Sequence, residues 1–276
     1  SFQAGAAVAM GMFPLVGPRG AAALRLVLGA AMLLAWSRPW RRWPARASWG
    51  PILGLGASIG GVILMFYQAL ERLPQGIVVA LQFMGPLAVA LFGSRRLGDV
   101  AWGGLAGLGV WLMVGVGRAA APLDPVGVAW ALGAAACWGA YIVFGRRATL
   151  EFGGSTAALA TALGAVIALP LGVLQAGTGL LSLSILPMAV LVGLFSTALP
   201  VSLEFYAMAR LPARTFAVFM SVEPAFGVLI GLIFLHQSLG PAELDGIALV
   251  MVAAAGAAWT SEDDDPVADP EDAPLV

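Results

Sequence analysis

Glu223 is a carboxylate near the middle of a long apolar segment. It comes about ten residues into the segment near 215–235, so at about 1.5 Å per helical residue it is expected about 15 Å deep. Pro224 follows it, and a proline within a helix frees the carbonyl four residues earlier, here that of Met220. A carboxylate beside a free carbonyl can receive an ammonium group or a proton, which makes Glu223 the first candidate for a binding site. The alternative is a neutral glutamic acid that is hydrogen-bonded between helices.

Gln82 lies at a comparable depth in an earlier apolar segment. Pro86 follows four residues later and frees the carbonyl of Gln82 itself. Pro86 and Pro224 are 138 residues apart, so the two segments are predicted to carry matching kinks. The amide of Gln82 both donates and accepts hydrogen bonds, so it can bind an amino or a carboxyl group, or can simply link two helices.

Other polar side chains in apolar segments have a second interpretation at the membrane interface. Glu204 lies about one turn from the end of its segment and Arg25 about one and a half turns from the end of its own, so either can extend to the interface. Arg25 can instead clamp a carboxylate with two parallel hydrogen bonds. Aromatic residues with a polar group can line a cavity and take a cation on a ring face, or can simply pack between helices. They are Tyr67, Trp138, Tyr141 and Tyr206.

The composition is that of an integral membrane protein. Hydrophobic residues make up 60% of the chain and charged residues 11%, against about 45–50% and about 25% in soluble domains. Ten apolar segments can be distinguished, and all but the short first one approach the length of about 20 residues that spans a bilayer. We predict an all-α fold with helices near 2–13, 20–36, 50–69, 76–93, 100–116, 126–144, 155–174, 185–208, 215–235 and 245–259.

Two parts of the chain repeat each other. Arg72-Leu73-Pro74 recurs 138 residues later as Arg210-Leu211-Pro212, at the offset that also relates the two kinking prolines. A repeat of about half the chain is typical of membrane transporters, whose site lies between the halves. Each half holds five helices, an odd number, so the second half is predicted to be inverted in the membrane. The expected divisions are a first repeat at 1–122, a second repeat at 123–260 and a disordered acidic tail at 261–276.

Arginine placement predicts the orientation of the chain, because cytoplasmic loops are enriched in basic residues. The chain has fourteen basic residues, and all of them are arginine. Ten lie in the loops that follow helices two, four, six and eight, and three in the loops that follow helices one, three and five. We therefore expect both termini in the cytoplasm.

Several classes of chemistry are not expected. The only cysteine, Cys137, and the only histidine, His236, cannot make a disulfide or a zinc site within the chain. The sequence has no motif of a nucleophile elbow, a phosphate loop or a cofactor site, so neither an enzyme nor a bound cofactor is predicted. With glycine and alanine dominant, the arginine bias is attributed to genomic base composition, so no nucleic-acid partner is predicted. The first residues lack the charged region and cleavage motif of a signal peptide.

Six motifs of the chain carry a family resemblance. They are Phe13-Pro14-Leu15-Val16-Gly17, Ala23-Leu24-Arg25-Leu26, Gly85-Pro86-Leu87-Ala88-Val89-Ala90-Leu91-Phe92, Gly133-Ala134-Ala135-Ala136-Cys137-Trp138, Ser196-Thr197-Ala198-Leu199-Pro200 and Met220-Ser221-Val222-Glu223-Pro224-Ala225. They resemble the threonine/homoserine exporter family, in the EamA branch of the drug/metabolite transporter superfamily, which also contains aromatic amino acid exporters. The resemblance implies ten transmembrane helices in two inverted five-helix halves around a central cavity. Glu223 and Glu204 match glutamates of the family pattern, whereas members nearest the threonine exporter are expected to have Glu in place of Gln82.

The resemblance further implies a bacterial inner-membrane exporter of amino acids that works by alternating access. The expected substrates are threonine, homoserine, methionine and other neutral amino acids. The predicted partners are this substrate and the lipid bilayer, and a monomer is compatible with the arrangement. Two alternatives stay open, namely a transporter of another cargo, such as an aromatic amino acid or a drug, and a membrane enzyme or scaffold. The predicted substrate-binding residues are Glu223, Gln82, Arg25, Tyr67, Trp138, Tyr141 and Glu204.

The predicted orientation can be tested with single cysteines in a Cys137→Ser background. We expect the loop with Arg41 and Arg42 to be cytoplasmic and the turn at Glu71-Arg72 to be on the other side, because of the arginine distribution. In whole cells, an impermeant thiol reagent should label a cysteine in the turn and leave one in the loop unlabelled. The reverse labelling pattern would refute the orientation.

Overall fold

The computed structural model describes residues 1–41, 48–93, 97–114, 123–208 and 213–260, and within these ranges the chain is helical with no β-strand. The α-helices are α1 (Phe2–Met10), α2 (Phe13–Ser37), α3 (Trp49–Leu70), α4 (Gln75–Gln82), α5 (Met84–Gly93), α6 (Leu97–Val114), α7 (Pro125–Phe152), α8 (Thr156–Ala176), α9 (Leu186–Gly193), α10 (Leu199–Met208), α11 (Ala213–Met220), α12 (Glu223–Phe234) and α13 (Pro241–Thr260). Several predicted features lie outside the described residues. They are the loop arginines Arg42, Arg46, Arg95, Arg96, Arg118 and Arg210, the side chains of Tyr206 and Arg214, and the tail at 261–276.

Five helical stretches of the described chain are long and apolar enough to cross a membrane. They are Phe13–Arg41, Trp49–Leu70, Pro125–Leu181, Leu186–Glu204 and Pro241–Thr260. Three shorter apolar stretches accompany them, at Gln75–Val89, Val100–Val114 and Val218–Phe234. The prediction of an all-helical membrane protein is confirmed by these stretches.

Three of the predicted segments are each divided into two α-helices, and in the eighth the two are joined by a π-helical turn at Leu194–Ala198. The fourth breaks at Phe83, between α4 and α5, and the ninth breaks at Ser221 and Val222, between α11 and α12. A proline follows each break within three residues, Pro86 in one case and Pro224 in the other. Because proline has no N–H to donate to the preceding turn, it ends the continuous helical hydrogen bonding there. The structure therefore has two helices where the sequence predicts one kinked helix.

The turn after α3 is tied to the start of α7. Asp124 accepts a hydrogen bond from the backbone N of Val126 at 2.8 Å, and Pro125 begins the helix. An aspartate cap satisfies one of the N–H groups that a helix start leaves without a partner. The same carboxylate lies 2.7 Å from a guanidinium nitrogen of Arg72. This hydrogen bond lowers the pKa of Asp124 and raises the pKa of Arg72, so the pair is charged at neutral pH.

Helix bounds recur along the chain at one offset. The ends of α4 and α11, at Gln82 and Met220, are 138 residues apart, and each is followed by a break in the helix. This offset is the same as that of the two Arg-Leu-Pro motifs.

Glycines let several helix pairs approach closely. α6 packs along α13, where a Cβ added to Gly109 would lie 2.6 Å from the carbonyl oxygen of Gly246. α3 packs on α8, where a Cβ added to Gly60 would lie 3.1 Å from the carbonyl oxygen of Gly164. Lipid tails are as apolar as leucine, so helices in a bilayer associate through such close packing rather than through hydrophobic exclusion from water.

Gly109→Ala should destabilise the protein, because the added methyl group would meet the backbone of α13, which cannot rotate away. Gly107→Ala is the matched control on the same helix, because nothing lies within 4 Å of its added methyl group. At that position alanine should be neutral or stabilising, since glycine inside a helix is about 1 kcal/mol less favourable than alanine. Thermal unfolding in detergent should show a lower midpoint for Gly109→Ala alone, and equal midpoints for the two variants would contradict the packing.

Candidate functional site

A cavity of about 510 Å³ lies among α1, α2, α3, α4, α7, α8, α10, α11 and α12. This volume is within the range of about 300–1,000 Å³ that is common for small-molecule sites. Apolar side chains make up most of its wall, and a few polar groups converge on it. Six of the seven predicted binding residues line the cavity, and they are Arg25, Gln82, Trp138, Tyr141, Glu204 and Glu223.

Arg25 is almost completely buried, at 2% exposure, and its guanidinium is held by neutral groups. Its Nε donates to Oγ1 of Thr197 at 3.1 Å, and its Nη2 donates to the carbonyl oxygen of Ser196 at 2.7 Å. Its Nη1 lies 3.4 Å from the hydroxyl of Tyr67. Among the described residues, no carboxylate forms a salt bridge with Arg25. The guanidinium is therefore positioned at the cavity wall with neutral groups as its hydrogen-bond partners.

The carbonyl that holds Arg25 is available because of a proline one turn later. Leu194–Ala198 form a π-helical turn between α9 and α10, and Pro200 follows it. In an α-helix the N–H of residue 200 would bond to the carbonyl of Ser196, but proline has no N–H. The guanidinium supplies the missing donor. The sequence carried this signal, because the reasoning that frees carbonyls at Pro86 and Pro224 applies equally to Pro200.

Two aromatic rings face the same guanidinium. The centre of the Arg25 guanidinium lies 4.5 Å from the ring centroid of Phe2 and 5.5 Å from that of Tyr67. Such contacts attract a cation to the electron-rich face of the ring. Tyr67 is fully buried and does not line the cavity, so the structure places it behind Arg25 rather than at the cavity surface. Sequence reasoning did not include Phe2, which lines the cavity.

Glu223 begins α12 and takes one hydrogen bond from α1. The amide nitrogen of Gln3 donates to Oε1 of Glu223 at 2.9 Å. Gln3 is 5% exposed and lines the cavity beside Glu223. Sequence reasoning missed Gln3, although an amide inside the first apolar segment was a visible signal.

α4 and α12 run antiparallel and bring the two helix breaks to the same level. A Cβ added to Gly231 would lie 3.8 Å from Cβ of Gln75, and one added to Gly227 would lie 3.4 Å from Cβ of Val79. A step of four residues towards the end of α4 thus corresponds to a step of four residues towards the start of α12. Continued for one more turn, this register places the end of α4 beside Glu223 at the start of α12. The cavity lining agrees, because it contains both Gln82 and Glu223.

The remaining predicted residues line the cavity from other helices. Trp138 and Tyr141 lie on α7, and the Trp138 ring packs edge-on against Phe83, with centroids 5.0 Å apart and an angle of 85° between the planes. This contact fixes the indole beside the break between α4 and α5. Glu204 lines the cavity from α10. The cavity thus combines one guanidinium, two carboxyl groups and aromatic surface.

Known proteins similar to this chain identify its family. The EamA-like transporter family matches residues 125–259. The threonine/homoserine exporter RhtA of Escherichia coli (strain K12) is 45% identical over 260 residues, which cover 94% of this chain and 88% of the relative. The threonine/homoserine exporter RhtA of Salmonella typhimurium (strain LT2) is similar to the same extent. The chain belongs to the RhtA family of EamA-like transporters.

Membership of this family, together with the long apolar helices, makes the chain a multi-pass inner-membrane protein. The family resemblance predicted from the six motifs is confirmed. A crystal structure of a protein aligns with this chain at a TM-score of 0.62 and 21% identity, and the alignment covers 93% of this chain and 92% of that chain. At this identity the likeness shows a shared fold.

Proposed function

We propose that this protein exports amino acids from the cytoplasm, with threonine and homoserine among its substrates. The observation that carries the proposal is the presence of Arg25, which has no salt bridge to a carboxylate among the described residues, and of Glu223 in the wall of one cavity. A free amino acid carries one carboxylate and one ammonium group. Arg25 offers a planar donor for the first, and Glu223 offers an acceptor for the second.

Both substrate charges need partners, because a polar group left without a hydrogen bond in an apolar environment costs several kcal/mol. In the proposed complex the carboxylate meets the guanidinium of Arg25, and the ammonium meets Glu223. Gln82 can serve either charge, since its amide both donates and accepts. Met220, which lines the cavity, adds a backbone carbonyl. Pro224 has no N–H to donate to this carbonyl.

The cavity predicts broad selectivity for the substrate side chain. Leu26, Ile59, Val62 and Ile63 are among the apolar residues that line it. Apolar surface discriminates weakly, by about 1–3 kcal/mol per methylene group. Neutral amino acids of moderate size, including methionine, are therefore expected substrates alongside threonine and homoserine. Trp138 and Tyr141 favour an aromatic amino acid as the second candidate cargo, because a flat ring can pack against them.

We propose ten membrane helices in two inverted halves, 1–122 and 123–260, that move substrate by alternating access. The 138-residue offset between the ends of α4 and α11 supports two similar halves. An inverted repeat is expected to place corresponding helices of its two halves antiparallel at the centre of the protein. α4 and α12 form such a pair, and each has its helix break at the end that faces the site. The offset relates the last residues of α4 and α11, Gln82 and Met220, which both line the cavity.

The same proposal places both termini in the cytoplasm, and the arginine distribution supports this orientation. The cytoplasmic side would then hold the junction of α7 and α8, where Thr149 and Thr156 line the cavity. The protein would bind its substrate from that side. An enzyme is not proposed, since its relatives are transporters.

The proposed function is tested by transport in proteoliposomes with a panel of labelled amino acids. Threonine and homoserine should be transported and should compete with each other and with methionine. Preference for tryptophan or phenylalanine over threonine would favour the aromatic cargo instead. Absence of transport for every amino acid in the panel, by protein that is monodisperse in detergent, would overturn the proposal.

Glu223→Gln should lower threonine transport by about tenfold or more, because a hydrogen bond to a charged group contributes about 1.5–3 kcal/mol and the amide removes the charge. The change keeps the shape of the side chain, so the protein should still fold. Glu71→Gln is the control, since Glu71 is exposed in the turn after α3 and does not line the cavity. Full transport by Glu223→Gln would count against the proposed role of this carboxylate.

Arg25→Lys should raise the KM for threonine about tenfold, although it keeps the positive charge. An ammonium group has no planar fork, so it cannot hold the Ser196 carbonyl and a substrate carboxylate with parallel hydrogen bonds. Arg19→Lys is the matched control, because Arg19 is exposed at the surface. An unchanged KM in Arg25→Lys would show that Arg25 does not bind the substrate.

A further inference from the structure

Gln3 connects three helices through its side-chain amide and its backbone. Its Nε2 donates to Oε1 of Glu223 on α12 at 2.9 Å. Its Oε1 accepts from Nε2 of Gln75 on α4 at 2.7 Å, and its backbone carbonyl accepts from the same nitrogen at 3.0 Å. Gln3 is 5% exposed and Gln75 is fully buried, and the two bonds between them are buried, whereas the bond to Glu223 is partly buried at the cavity wall.

The direction of this chain of hydrogen bonds is set at Glu223. Its Oε1 is the acceptor, so Gln3 presents its NH₂ group to it. The oxygen of the same amide then faces Gln75, which must in turn present its own NH₂ group. Each amide is thus oriented by its neighbour, and the orientation begins at the carboxylate.

Gln75 is itself held in place from α12 and the segment that follows it. Its backbone N donates to Oε1 of Gln237 at 2.9 Å. His236 has a left-handed backbone conformation, with φ of 53°, which turns the chain so that Gln237 returns towards α12. Gly231 leaves room for this return, because a Cβ added there would lie 2.7 Å from Oε1 of Gln237. The support behind Gln3 is therefore a packed arrangement rather than a single contact.

We propose that Gln3 is a positioning residue of the substrate site, which orients Glu223 to receive the ammonium group of an amino acid. The inference rests on the proposed function and adds a residue to its site. Gln3 occupies Oε1 of Glu223, and within the described residues no hydrogen bond to Oε2 is found. Because a carboxylate has two oxygens, the bond to Gln3 fixes its plane and leaves the second oxygen for a cavity ligand.

The proposal predicts a specific defect in recognition of the ammonium group. Gln3→Met keeps the length of the side chain and the backbone bond to Gln75, but removes the amide that holds Glu223. Affinity for threonine should fall about tenfold, the effect of misplacing one charge-assisted hydrogen bond. Affinity for 2,3-dihydroxybutanoate, in which a hydroxyl replaces the ammonium group, should change less than twofold. Calorimetric titration of the purified full-length protein with both compounds measures the ratio of the affinity for threonine to the affinity for 2,3-dihydroxybutanoate.

A double variant separates positioning from a general structural effect. If Gln3 acts through Glu223, adding Gln3→Met to Glu223→Gln should weaken threonine binding no further than Glu223→Gln alone does. Additive losses of affinity would overturn the proposal. This comparison uses binding rather than transport, so it remains readable in variants that transport poorly.

Two further variants complete the test. Gln68→Met makes the same replacement on α3, at a glutamine that does not line the cavity, and should leave the threonine affinity unchanged. Gln3→Asn keeps a polar amide but is one methylene too short to reach Glu223, so it should reproduce the loss of affinity if Gln3→Met fails to fold. If Gln3→Asn, Gln68→Met and the unaltered protein bind threonine with equal affinity, the role of Gln3 is overturned and the proposed function is not affected. Failure of the unaltered protein to bind any amino acid would overturn the proposed function as well.

Discussion

The centre of this protein depends on holding one guanidinium inside the membrane although no carboxylate in the described part of the chain forms a salt bridge with it. Charge at membrane depth is unfavourable unless protein groups replace the lost water. Around Arg25 these groups are a hydroxyl, a backbone carbonyl and two aromatic faces, all of them neutral. A neighbouring carboxylate would have satisfied the charge more simply, but it would also have occupied the position where an anionic ligand can bind. The arrangement keeps a cation stable and still able to take a partner.

Three prolines create the polar backbone of the cavity. Pro86, Pro200 and Pro224 cannot donate to the carbonyls of Gln82, Ser196 and Met220, and all three of these residues line the cavity. Irregular backbone is tolerated at membrane depth only where it is buried in protein or faces a polar space. The helix breaks and the cavity therefore depend on each other. The breaks expose acceptors, and the cavity is the place in which exposed acceptors can be satisfied.

Most polar contacts of the site join distant parts of the chain. Gln3 meets Glu223 across 220 residues, and Arg25 meets Ser196 and Thr197 across more than 170. In the proposed alternating access, movement of one half relative to the other would strain or exchange these bonds. A substrate with two opposite charges would bind Arg25 and Glu223 beside them, which would connect binding with movement.

The sequence alone determined the membrane class, the ten apolar segments, the 138-residue repeat and the family. It also selected Arg25 and Glu223, because a charge in an apolar segment is visible without any coordinates. Tertiary structure decided which helix faces each charge: Phe2 and Gln3 proved to be neighbours of these residues, and Tyr67 proved to lie behind Arg25 rather than at the cavity surface. The reason is that lipid is as apolar as a helix interface, so the helices carry no strong division into inner and outer faces. Depth can be read from the distance to the end of an apolar segment, but the direction of a side chain follows from packing between helices that are far apart in sequence.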